Sequence, residues 1–527
     1  MTEKSNALKK DLHICAGLAL CQVLLAALPL GIPALFGNFT LRAAYAAVQL
    51  VFVLPLVYYA RPVLRRGRRS LFGGVPAMEG LAFAACAIGL AAGVIAGVSA
   101  AVGHVSLAGL PFAPLAVMLV TVLAAEYFKA ACPLKTAEEE ALNADKTAAF
   151  VLPAVFAIAL AAALSWWFYG LGAAAAWLVL AGVLLAGSAG AFMLAGVLPL
   201  YFAAQNAHNS GYAFADSASA ENCRSLTMAV FDDSFAPTEG QEITDIITAA
   251  VSEAQLLALA AGVTAAAEHP LQQMFGEQAA GLPVPACSGV VKMRGGITAQ
   301  CSARNVRMGT LAFVSSVAVI GTEYAKYEAQ LKKQGKTVFY ITSGRVLQGI
   351  IAVGPKVTGG LQPVLAVLHK RGVRTVMFST AAKAQAEYIA AKAGFNKTVA
   401  ELAPQHQKEL AETFCRTGEF IAVLRHTQTG AVQADLYSPA GTLAGSLTLA
   451  GGNAGNLPLA IALSEKLLKV RGQNSRLALL LGAAWAVMAA FGWQLAFKTV
   501  LPGTALALML VISALAVWLN SRRLLKN

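Results

Sequence analysis

The segment MAVFDDSFAPTEG, residues 228–240, decides how the rest of the chain is interpreted. Its first four residues are apolar and predict a buried strand, and two aspartates, Asp232 and Asp233, follow directly. A strand that carries a carboxylate to its carboxyl end, followed by small residues, is typical of loops that accept a phosphoryl group. Here the residues after Asp232 are Asp233, Ser234, Phe235, Ala236 and Pro237. The segment is therefore either a working phosphorylation loop with unusual neighbours or the remnant of one.

The composition indicates an integral membrane protein. Of the 527 residues, 57% are hydrophobic and 13% are charged, and the mean hydropathy is +0.63. These values predict several membrane spans. The net charge of +13 does not indicate nucleic-acid binding, because the basic residues cluster at the ends of apolar segments, where they set membrane topology. The eight cysteines show no CxxC or Cys/His spacing, so we predict neither a zinc site nor a disulfide framework.

Eight apolar runs are long enough to cross a lipid bilayer. They fall near residues 13–36, 41–60, 78–101, 111–131, 149–169, 173–203, 477–497 and 502–520. Basic clusters precede the first run, follow the second in RPVLRRGRRS (61–70), and follow the eighth in SRRLLKN (521–527). Since basic loops stay on the cytoplasmic side, we expect both termini and the large domain in the cytoplasm, and the protein in a bacterial plasma membrane.

A long segment of soluble composition, from about residue 205 to 475, separates the sixth and seventh runs. Five stretches predict buried strands: LTMAVFD, TVFYITS, VLQGIIAV, VRTVMFST and FIAVLRH. Four predict amphipathic helices: LQPVLAVLHKRG, AAKAQAEYIAAKAGF, PQHQKELAETFCRTG and LAIALSEKLLKV. Alternating strands and helices predict a parallel sheet flanked by helices. The stretch 240–350 interrupts this alternation and predicts an inserted lobe.

The order of these features resembles that of the heavy-metal P-type ATPases, the copper-type branch in particular. The segments that carry the resemblance are RPVLRRGRRSLFGGVPAMEGLAF (61–83), AEHPL (267–271), KKQGKTVFYITSGRVLQGIIAV (332–353) and ALAVWLNSRRLL (514–525). The resemblance covers nearly the whole chain. It implies a multi-pass α-helical membrane protein of about eight spans, with a cytoplasmic α/β HAD-like phosphorylation domain that carries an inserted nucleotide-binding-like domain.

The resemblance also divides the chain into seven parts. These are a four-helix N-terminal membrane region (1–131), a short cytoplasmic loop in place of the family's actuator domain (132–148), the fifth and sixth transmembrane helices (149–204), the start of the phosphorylation-like domain (205–240), the nucleotide-binding-like domain (241–350), the rest of the phosphorylation-like domain (351–475) and a C-terminal transmembrane hairpin (476–527). A stretch as short as 132–148 cannot fold into a domain of its own.

The family's phosphorylation loop reads Asp-Lys-Thr-Gly-Thr-Leu-Thr-x-Gly, and its aspartate accepts the phosphoryl group of ATP. By the resemblance Asp232 takes the acceptor position, Asp233 the lysine, Ser234 the first threonine, Phe235 the glycine and Ala236 the second threonine. A second carboxylate repels phosphate, and a phenylalanine removes the backbone access that a glycine gives. We therefore interpret Asp232 as a vestigial acceptor position that is inactive.

Other motifs of the family are altered at their aligned positions. Thr-Gly-Asp becomes Ser379-Thr380-Ala381, Pro-Glu-Asp-Lys becomes Pro404-Gln405-His406-Gln407, and the magnesium-holding Gly-Asp-Gly-x-Asn-Asp becomes RHTQTG (425–430). The copper ligands Cys-Pro-Cys, Tyr-Asn and Met/Ser become Gly187-Ser188-Ala189, Leu481-Gly482 and Leu510/Ala514. The sequence thus lacks the family's ligands for magnesium and copper and predicts no metal site. Arg425 either supplies charge in place of a metal or is a solvated strand end.

One site of the family is partly kept. Glu268, His269, Gly296 and Gly309 match its adenine-binding lobe, although Arg294 replaces the first glycine of its Gly-x-Gly loop. This pattern predicts residual nucleotide binding, with ATP as the one candidate ligand. The alternative interpretation is structural: Glu268-His269-Pro270 begins a helix, with Pro270 in its first turn.

Two functions follow from these interpretations. The first is a catalytically inactive pseudo-transporter that acts by binding or regulation, with the lipid bilayer, another membrane transporter or a nucleotide as partner and with no nucleic acid. The alternative is a divergent ATP-driven heavy-metal cation transporter. A third possibility is a passive pathway through the helix bundle, but small residues in helices permit close packing and do not themselves show a pore.

Overall fold

The computed structural model describes residues 3–31, 37–74, 77–134, 146–170, 172–187, 189–235, 238–357, 359–427, 430–452 and 454–525. The chain forms two compact units, the first made of Met1–Arg224 and Ala460–Asn527 and the second of Ser225–Leu459. Most of the predicted loop 132–148 lies outside the described residues, since these stop at 134 and resume at 146.

The first unit is a helix bundle. Within the described residues, eight helical segments are long and apolar enough to cross a membrane, which confirms the predicted number of spans. The N-terminal part contains α1 (Glu3–Gly31), α2 (Phe39–Phe72), α3 (Met78–Ala101), α4 (Phe112–Ala131), α5 (Lys146–Phe168), α6 (Ala173–Ala186), α7 (Ala189–Asn209), strand β1 (Tyr212–Phe214) and α8 (Ser217–Asn222). The core of the bundle is rich in alanine and leucine, and the sixth span is broken between α6 and α7.

The second unit contains two sheets and seven helices in its described part. In chain order the elements are β2 (Met228–Phe231), β3 (Thr238–Thr248), α9 (Glu253–Ala266), α10 (Gln272–Gln278), β4 (Cys287–Met293), β5 (Gly296–Cys301), β6 (Arg304–Gly309), α11 (Leu311–Val314), α12 (Thr322–Lys333), β7 (Thr337–Ser343), β8 (Val346–Val357), α13 (Gln362–Lys370), β9 (Arg374–Phe378), α14 (Lys383–Ala393), β10 (Lys397–Val399), α15 (Gln407–Arg416), β11 (Ile421–His426), β12 (Val432–Tyr437) and β13 (Leu443–Leu449).

The first sheet of this unit has the order β13-β12-β11-β2-β9-β10. Strand β2 lies at its centre and pairs in parallel with both β9 and β11, and β9 pairs in parallel with β10. All four residues of β2 are buried. Such a continuous apolar run is expected for a strand that is covered on both faces of a parallel sheet. The predicted cytoplasmic α/β domain is thus confirmed as a feature of the fold.

The second sheet has the order β3-β8-β7-β6-β5-β4, and all its neighbours run antiparallel. Two predicted strands, TVFYITS and VLQGIIAV, belong to this sheet as β7 and β8, within and at the end of the stretch predicted to form an inserted lobe, but their pairing as a hairpin was not predicted. A two-residue turn, Gly344-Arg345, joins them, and Gly344 has a φ of 63°. Such a turn forms a hairpin, which excludes the crossover that parallel neighbours need.

The expectation that no disulfide forms is also wrong. Cys287 on β4 and Cys301 on β5 are joined by a disulfide bond. The two residues are direct neighbours in the antiparallel register of these strands. The two cysteines are 14 residues apart in the sequence, and this spacing alone does not predict a bond between them. The pairing could be predicted only from the register of the β4–β5 hairpin.

The last predicted soluble helix and the seventh span form one continuous helix, α16 (Asn456–Val487). A single π-helical turn, Met488–Gly492, joins it to α17 (Trp493–Phe497), and α18 (Gly503–Ser521) follows. The sequence LAIALSEKLLKV therefore belongs to a membrane-spanning helix and not to a separate amphipathic one.

The packing around β2 gives a first prediction. Ile421 on β11 is fully buried in the cluster that holds Met228, Val230 and Phe378. Replacing Ile421 with alanine removes buried methyl groups and leaves a cavity, so we expect the free energy of unfolding to fall by about 2–5 kcal/mol. Denaturant unfolding of the detergent-purified chain measures this. The exposed Lys408→Ala on α15 is the control and should change the value by less than about 0.5 kcal/mol; equal values for both variants would contradict the described core.

Candidate functional site

The carboxyl ends of three parallel strands bring the altered phosphorylation motifs together. Phe231 at the end of β2 is paired with Met377 on β9 and with Leu424 on β11. Asp232, Ser379 and Arg425 each follow one of these positions by one or two residues. They therefore lie at one edge of the sheet, where parallel α/β folds place their ligands. The structure thus brings together side chains that stand almost two hundred residues apart in the sequence.

The carboxylate of Asp232 is engaged by its own loop. The backbone N–H of Ser234 donates to Oδ1 of Asp232 at 3.0 Å, and the hydroxyl of Ser234 donates to the same oxygen. The Ser234 hydroxyl oxygen in turn accepts from the N–H of His426 at 3.0 Å. An aspartate that folds back on the backbone two residues later is a common turn-stabilising arrangement. Asp232 thus has a structural role in this loop.

Phe235 fills the space behind the loop. Its side chain is buried, with 7% exposed, and its ring meets the ring of Phe231 edge-on at a centroid distance of 5.4 Å. The ring of His426 lies 4.3 Å from that of Phe235, tilted by 32°. An aromatic pair therefore occupies the position where the family's glycine would leave the backbone open to a phosphate. The side chain of Asp233 lies outside the described residues.

Arg425 is neutralised by a carboxylate that the sequence analysis missed. Its guanidinium pairs with Asp435 on the adjacent strand β12, and Asp435 also accepts from the side-chain amide of Gln433 at 2.9 Å. Arg425 is half exposed, whereas Asp435 is 12% exposed. The pairing depends on the antiparallel register of β11 and β12, which was not predicted. Arg425 is therefore a half-exposed residue at the strand end whose charge is already paired.

The polar side chain that follows the third strand, β9, also has its hydrogen-bond partner within the protein. The hydroxyl of Ser379 accepts from the N–H of Ala381 at 3.1 Å, and the side chain of Ser379 is buried. Lys408, one position from the aligned lysine, is exposed on α15. Among the described residues, no group of three or more His, Cys, Asp or Glu side chains is arranged to hold a metal ion.

Two of the aligned copper positions, Gly187 and Gly482, come together in the first unit, and both are glycines. A methyl group added to Gly482 would lie 3.5 Å from the carbonyl oxygen of Gly187, so the two backbones are in close contact. Leu510 on α18 is buried in the apolar core. Ser513, next to an aligned position, already accepts from Nε1 of Trp485 at 2.9 Å and donates to the carbonyl of Met509. Ser188 lies outside the described residues.

The four residues predicted for nucleotide binding line one cavity. Glu268, His269, Gly296 and Gly309 surround a volume of about 420 Å³ between α9, the β4–β5 hairpin, β6 and β7. Volumes of this size are usual for small-molecule sites. Lys292, Thr310 and Phe339 line it as well and were missed by the sequence analysis, because only the sheet register places them beside the predicted four.

Glu268 and His269 end a helix and do not begin one. The N–H of Glu268 donates to the carbonyl of Ala265 and that of His269 to Thr264, which together form a Schellman motif at the end of α9. Glu268 has a φ of 47°, a conformation that costs a residue other than glycine about 1–2 kcal/mol. Because α10 begins only at Gln272, the interpretation that places Pro270 in the first turn of a helix is wrong.

The hydrogen bonds of His269 define its chemical form. Its Nδ1 accepts from the N–H of Leu271 at 3.1 Å, so in the neutral ring Nε2 carries the proton and can donate to a ligand. Burial, and secondarily the charge of Lys292, lower the pKa of His269 below its ordinary value. The ring meets Phe339 edge-on at 6.3 Å. The cavity therefore offers a neutral N–H donor beside an aromatic ring.

The two predicted glycines are required by close backbone approach. Gly296 on β5 and Gly309 on β6 are paired in the sheet, and a Cβ on Gly309 would lie 2.3 Å from the carbonyl oxygen of Gly295. A Cβ on Gly296 would meet the ring of Phe313 at 2.2 Å. The glycines therefore shape the wall of the cavity whether or not a ligand is bound.

Two alanine substitutions should have opposite effects. Gly309→Ala forces its methyl group into the neighbouring backbone, and we expect it to lower the free energy of unfolding by about 1–3 kcal/mol. Gly276→Ala, inside α10 with open space around it, should raise the free energy of unfolding by about 0.5–1 kcal/mol. Thermal unfolding of the purified chain compares them, and a stable Gly309→Ala protein would show that the described wall is incorrect.

His269 should make stability depend on pH. Because its folded-state pKa lies below the 6.5 of the unfolded chain, the unfolded state binds the proton first as the pH falls. The free energy of unfolding should therefore decrease as the pH drops through 6.5 and level off below the folded-state pKa. His269→Gln should remove this component from a comparison of unfolding midpoints between pH 8 and pH 5, and an unchanged pH profile would contradict the described environment of His269.

Comparisons with known proteins agree with this architecture. A family model described as haloacid dehalogenase-like hydrolase matches residues 236–423. A copper-transporting P-type ATPase of Rhizobium leguminosarum bv. viciae is 26% identical over 399 residues, which cover 73% of this chain and 47% of the relative. A cation-transporting P-type ATPase B of Mycobacterium bovis is 26% identical over 291 residues, covering 53% of this chain and 38% of the relative.

A solved structure has the same overall fold. The crystal structure of a zinc-transporting PIB-type ATPase in its E2.Pi state superposes with a TM-score of 0.62 at 17% identity, covering 97% of this chain and 100% of that chain. The chain spans about half or less of the length of the two curated relatives described above. The protein is a P-type-ATPase-like multi-pass membrane protein that is similar in sequence to copper- and other cation-transporting P-type ATPases and shares the fold of a zinc-transporting one.

Proposed function

We propose that the protein is a catalytically inactive relative of the heavy-metal transporters and acts by binding. The observation that carries this proposal is the state of the phosphorylation loop. Its Asp232 carboxylate accepts hydrogen bonds from Ser234, and Phe235 and His426 stack where phosphate would need open backbone. Phosphoryl transfer depends on positive charge and free N–H groups around the phosphate, whereas among the described residues of this edge the N–H groups of Ser234 and His426 and the charge of Arg425 are already engaged.

The surrounding charges support the same conclusion. The residue aligned with the family's lysine is Asp233, and the one guanidinium that directly follows the aligned strand ends, that of Arg425, is paired with Asp435. Loss of a single stabilising donor commonly slows an enzyme on the order of a hundredfold or more. The span matched by the family model begins after Asp232 and ends before Arg425, so the match rests on the scaffold and not on these two loops.

Magnesium, which the family implies, does not fit the residues at this edge. Of the two carboxylates described there, Asp435 is paired with Arg425, and Oδ1 of Asp232 accepts two hydrogen bonds from Ser234. Magnesium needs carboxylate oxygens that are free to coordinate it together with phosphate. The residues at this edge therefore do not support a phosphoryl-transfer step that depends on magnesium. A copper site is unsupported as well, since Gly187, Gly482 and Leu510 stand at the aligned ligand positions.

The proposal also holds that the chain has no actuator domain between its fourth and fifth spans. The interval between the fourth and fifth spans, 132–148, is too short for a domain, although most of it lies outside the described residues. Without an actuator, a phosphoenzyme would lack the family's means of hydrolysis. The proposal further places both termini and the second unit in the cytoplasm of a bacterium, because basic clusters at the ends of membrane spans stay on the cytoplasmic side.

We propose that the retained ligand is an adenine nucleotide held in the 420 Å³ cavity. The neutral His269 offers Nε2–H to an acceptor on the base, Phe339 offers an aromatic edge, and Lys292 offers a positive charge on the cavity wall. Nucleotide or another membrane transporter would then be the partner through which the protein acts. This binding needs none of the residues at the altered sheet edge.

The second candidate function remains a divergent ATP-driven cation transporter. The observation that favours it is that an aspartate, Asp232, still follows the central strand at the acceptor position of the fold. Both hydrogen bonds from Ser234 fall on Oδ1 of Asp232, so Oδ2 would be the atom that attacks phosphorus. The two functions therefore differ in whether this carboxylate ever becomes covalently modified.

One pair of experiments separates the two functions. Calorimetry on the purified chain should show ATP binding that is weakened at least tenfold by His269→Ala, whereas Asp232→Asn should leave the binding unchanged. Acid quenching after incubation with γ-labelled ATP and several transition metals should give no labelled protein. A labelled band that disappears in Asp232→Asn would show that Asp232 accepts a phosphoryl group and would overturn the inactive proposal. Absence of ATP binding in both variants and wild type would remove the nucleotide from the proposal.

A further inference from the structure

We propose that the cytoplasmic end of α2 binds the phosphate headgroups of anionic phospholipids. Four exposed arginines, Arg61, Arg65, Arg68 and Arg69, cover its last three turns and are called the arginine face below. No ion pair joins any of the four to another described residue. Their charges are thus available to a ligand, and the chemistry that they match is a surface of closely spaced phosphate groups.

A fifth arginine on the same segment, Arg66, differs from the other four because it forms ion pairs within the protein. Arg66 pairs with Glu126 on α4 at 2.5 Å and lies 4.0 Å from Glu79 on α3. Among the described residues, these two carboxylates contact Arg66, and neither forms an ion pair with the arginine face. The segment cannot turn to hide its charges, because Val63, Leu64 and Gly67 on its other side are buried.

Two stacked pairs place this segment at the level of the headgroups. The guanidinium of Arg61 lies 4.3 Å from the ring centroid of Tyr58, and that of Arg522 at the end of α18 lies 4.7 Å from the ring of Trp518. Tyrosine and tryptophan are enriched where a membrane helix leaves the hydrocarbon, and arginine extends from there to the phosphates. Each pair thus marks the same boundary on a different helix.

The remaining arginines lie close to that boundary. At a rise of about 1.5 Å per residue, Arg65, Arg68 and Arg69 are within about 12 Å of Arg61 along the helix. This distance is comparable to the range over which surface charges act in physiological salt, about 8–10 Å. Pro62, inside the helix, can bend the segment nearer to the membrane plane.

An exposed aromatic residue favours a membrane over a soluble acidic partner. Phe72, in the last turn of α2, is 78% exposed, and it follows the arginine face directly. A basic helix segment with an exposed phenylalanine at its end is typical of segments that lie in the interface of a bilayer. Arginines that only set membrane topology need neither an exposed aromatic residue such as Phe72 nor a common position on one face of a helix.

The test is native mass spectrometry of the full chain, purified in detergent and titrated with phosphatidylglycerol or phosphatidylcholine. Wild type should prefer phosphatidylglycerol, and the triple variant Arg65→Gln, Arg68→Gln, Arg69→Gln should lose on the order of a hundredfold in affinity for it, since each basic residue near an anionic surface contributes about fivefold. Affinity for phosphatidylcholine should not change. Raising the salt concentration should weaken wild-type binding of phosphatidylglycerol only.

A matched control removes the same charge elsewhere. Lys326→Gln, Lys333→Gln and Lys370→Gln replace exposed lysines of the second unit and should leave phosphatidylglycerol affinity unchanged. The proposal is overturned if the arginine triple keeps its affinity, if both triples lose it equally, or if wild-type binding is independent of salt. The variant Arg65→Lys, Arg68→Lys, Arg69→Lys guards against misfolding, because it keeps the charge and should keep most of the affinity; loss in this variant would also overturn the proposal.

Discussion

The parallel pairing of β2 with β9 and β11 is the constraint on which the second unit depends. It buries all of β2 and brings three strand ends to one edge of the sheet. The pairing is made by backbone hydrogen bonds and by apolar side chains such as Val230, Ile421 and Phe378. None of these interactions involves a group that handles phosphate, so the scaffold can persist when the chemistry at its edge is lost.

The edge itself has been rebuilt as a self-contained surface. Asp232 bonds to Ser234, Ser234 to the backbone of His426, Arg425 to Asp435, and Ser379 to the backbone of Ala381. Each of these four side chains thus finds a partner within the protein. A phosphate-handling site needs the reverse, because its groups must stay available to a ligand at some cost in stability. The cavity around His269 keeps that character, with Glu268 held in a left-handed conformation beside it.

Much of this could be predicted from the sequence. Long apolar runs gave the eight spans, and the apolar stretches around Val230, Val376 and Val423 gave the strands, because burial on both faces leaves a continuous signal. Glu268, His269, Gly296 and Gly309 were identified by resemblance, and they do surround one cavity. Whether this cavity takes a nucleotide remains a prediction.

The parts that could not be predicted depend on sheet register. Asp435 meets Arg425, and Cys287 meets Cys301, only because antiparallel neighbours are aligned in one particular way. Lys292 and Phe339 reach the cavity for the same reason. The β7–β8 hairpin was missed although its turn contains Gly344, because the apolar pattern on both sides is also that of a parallel strand.

The central claim is that the scaffold of a transporter is kept here without its catalytic cycle. The most direct measurement reconstitutes the purified chain in proteoliposomes and follows ATP hydrolysis and the movement of copper and zinc ions together. The account predicts that neither exceeds the level of an Asp232→Asn preparation. Metal-stimulated hydrolysis that proceeds in step with ion flux, and that Asp232→Asn abolishes, would contradict it.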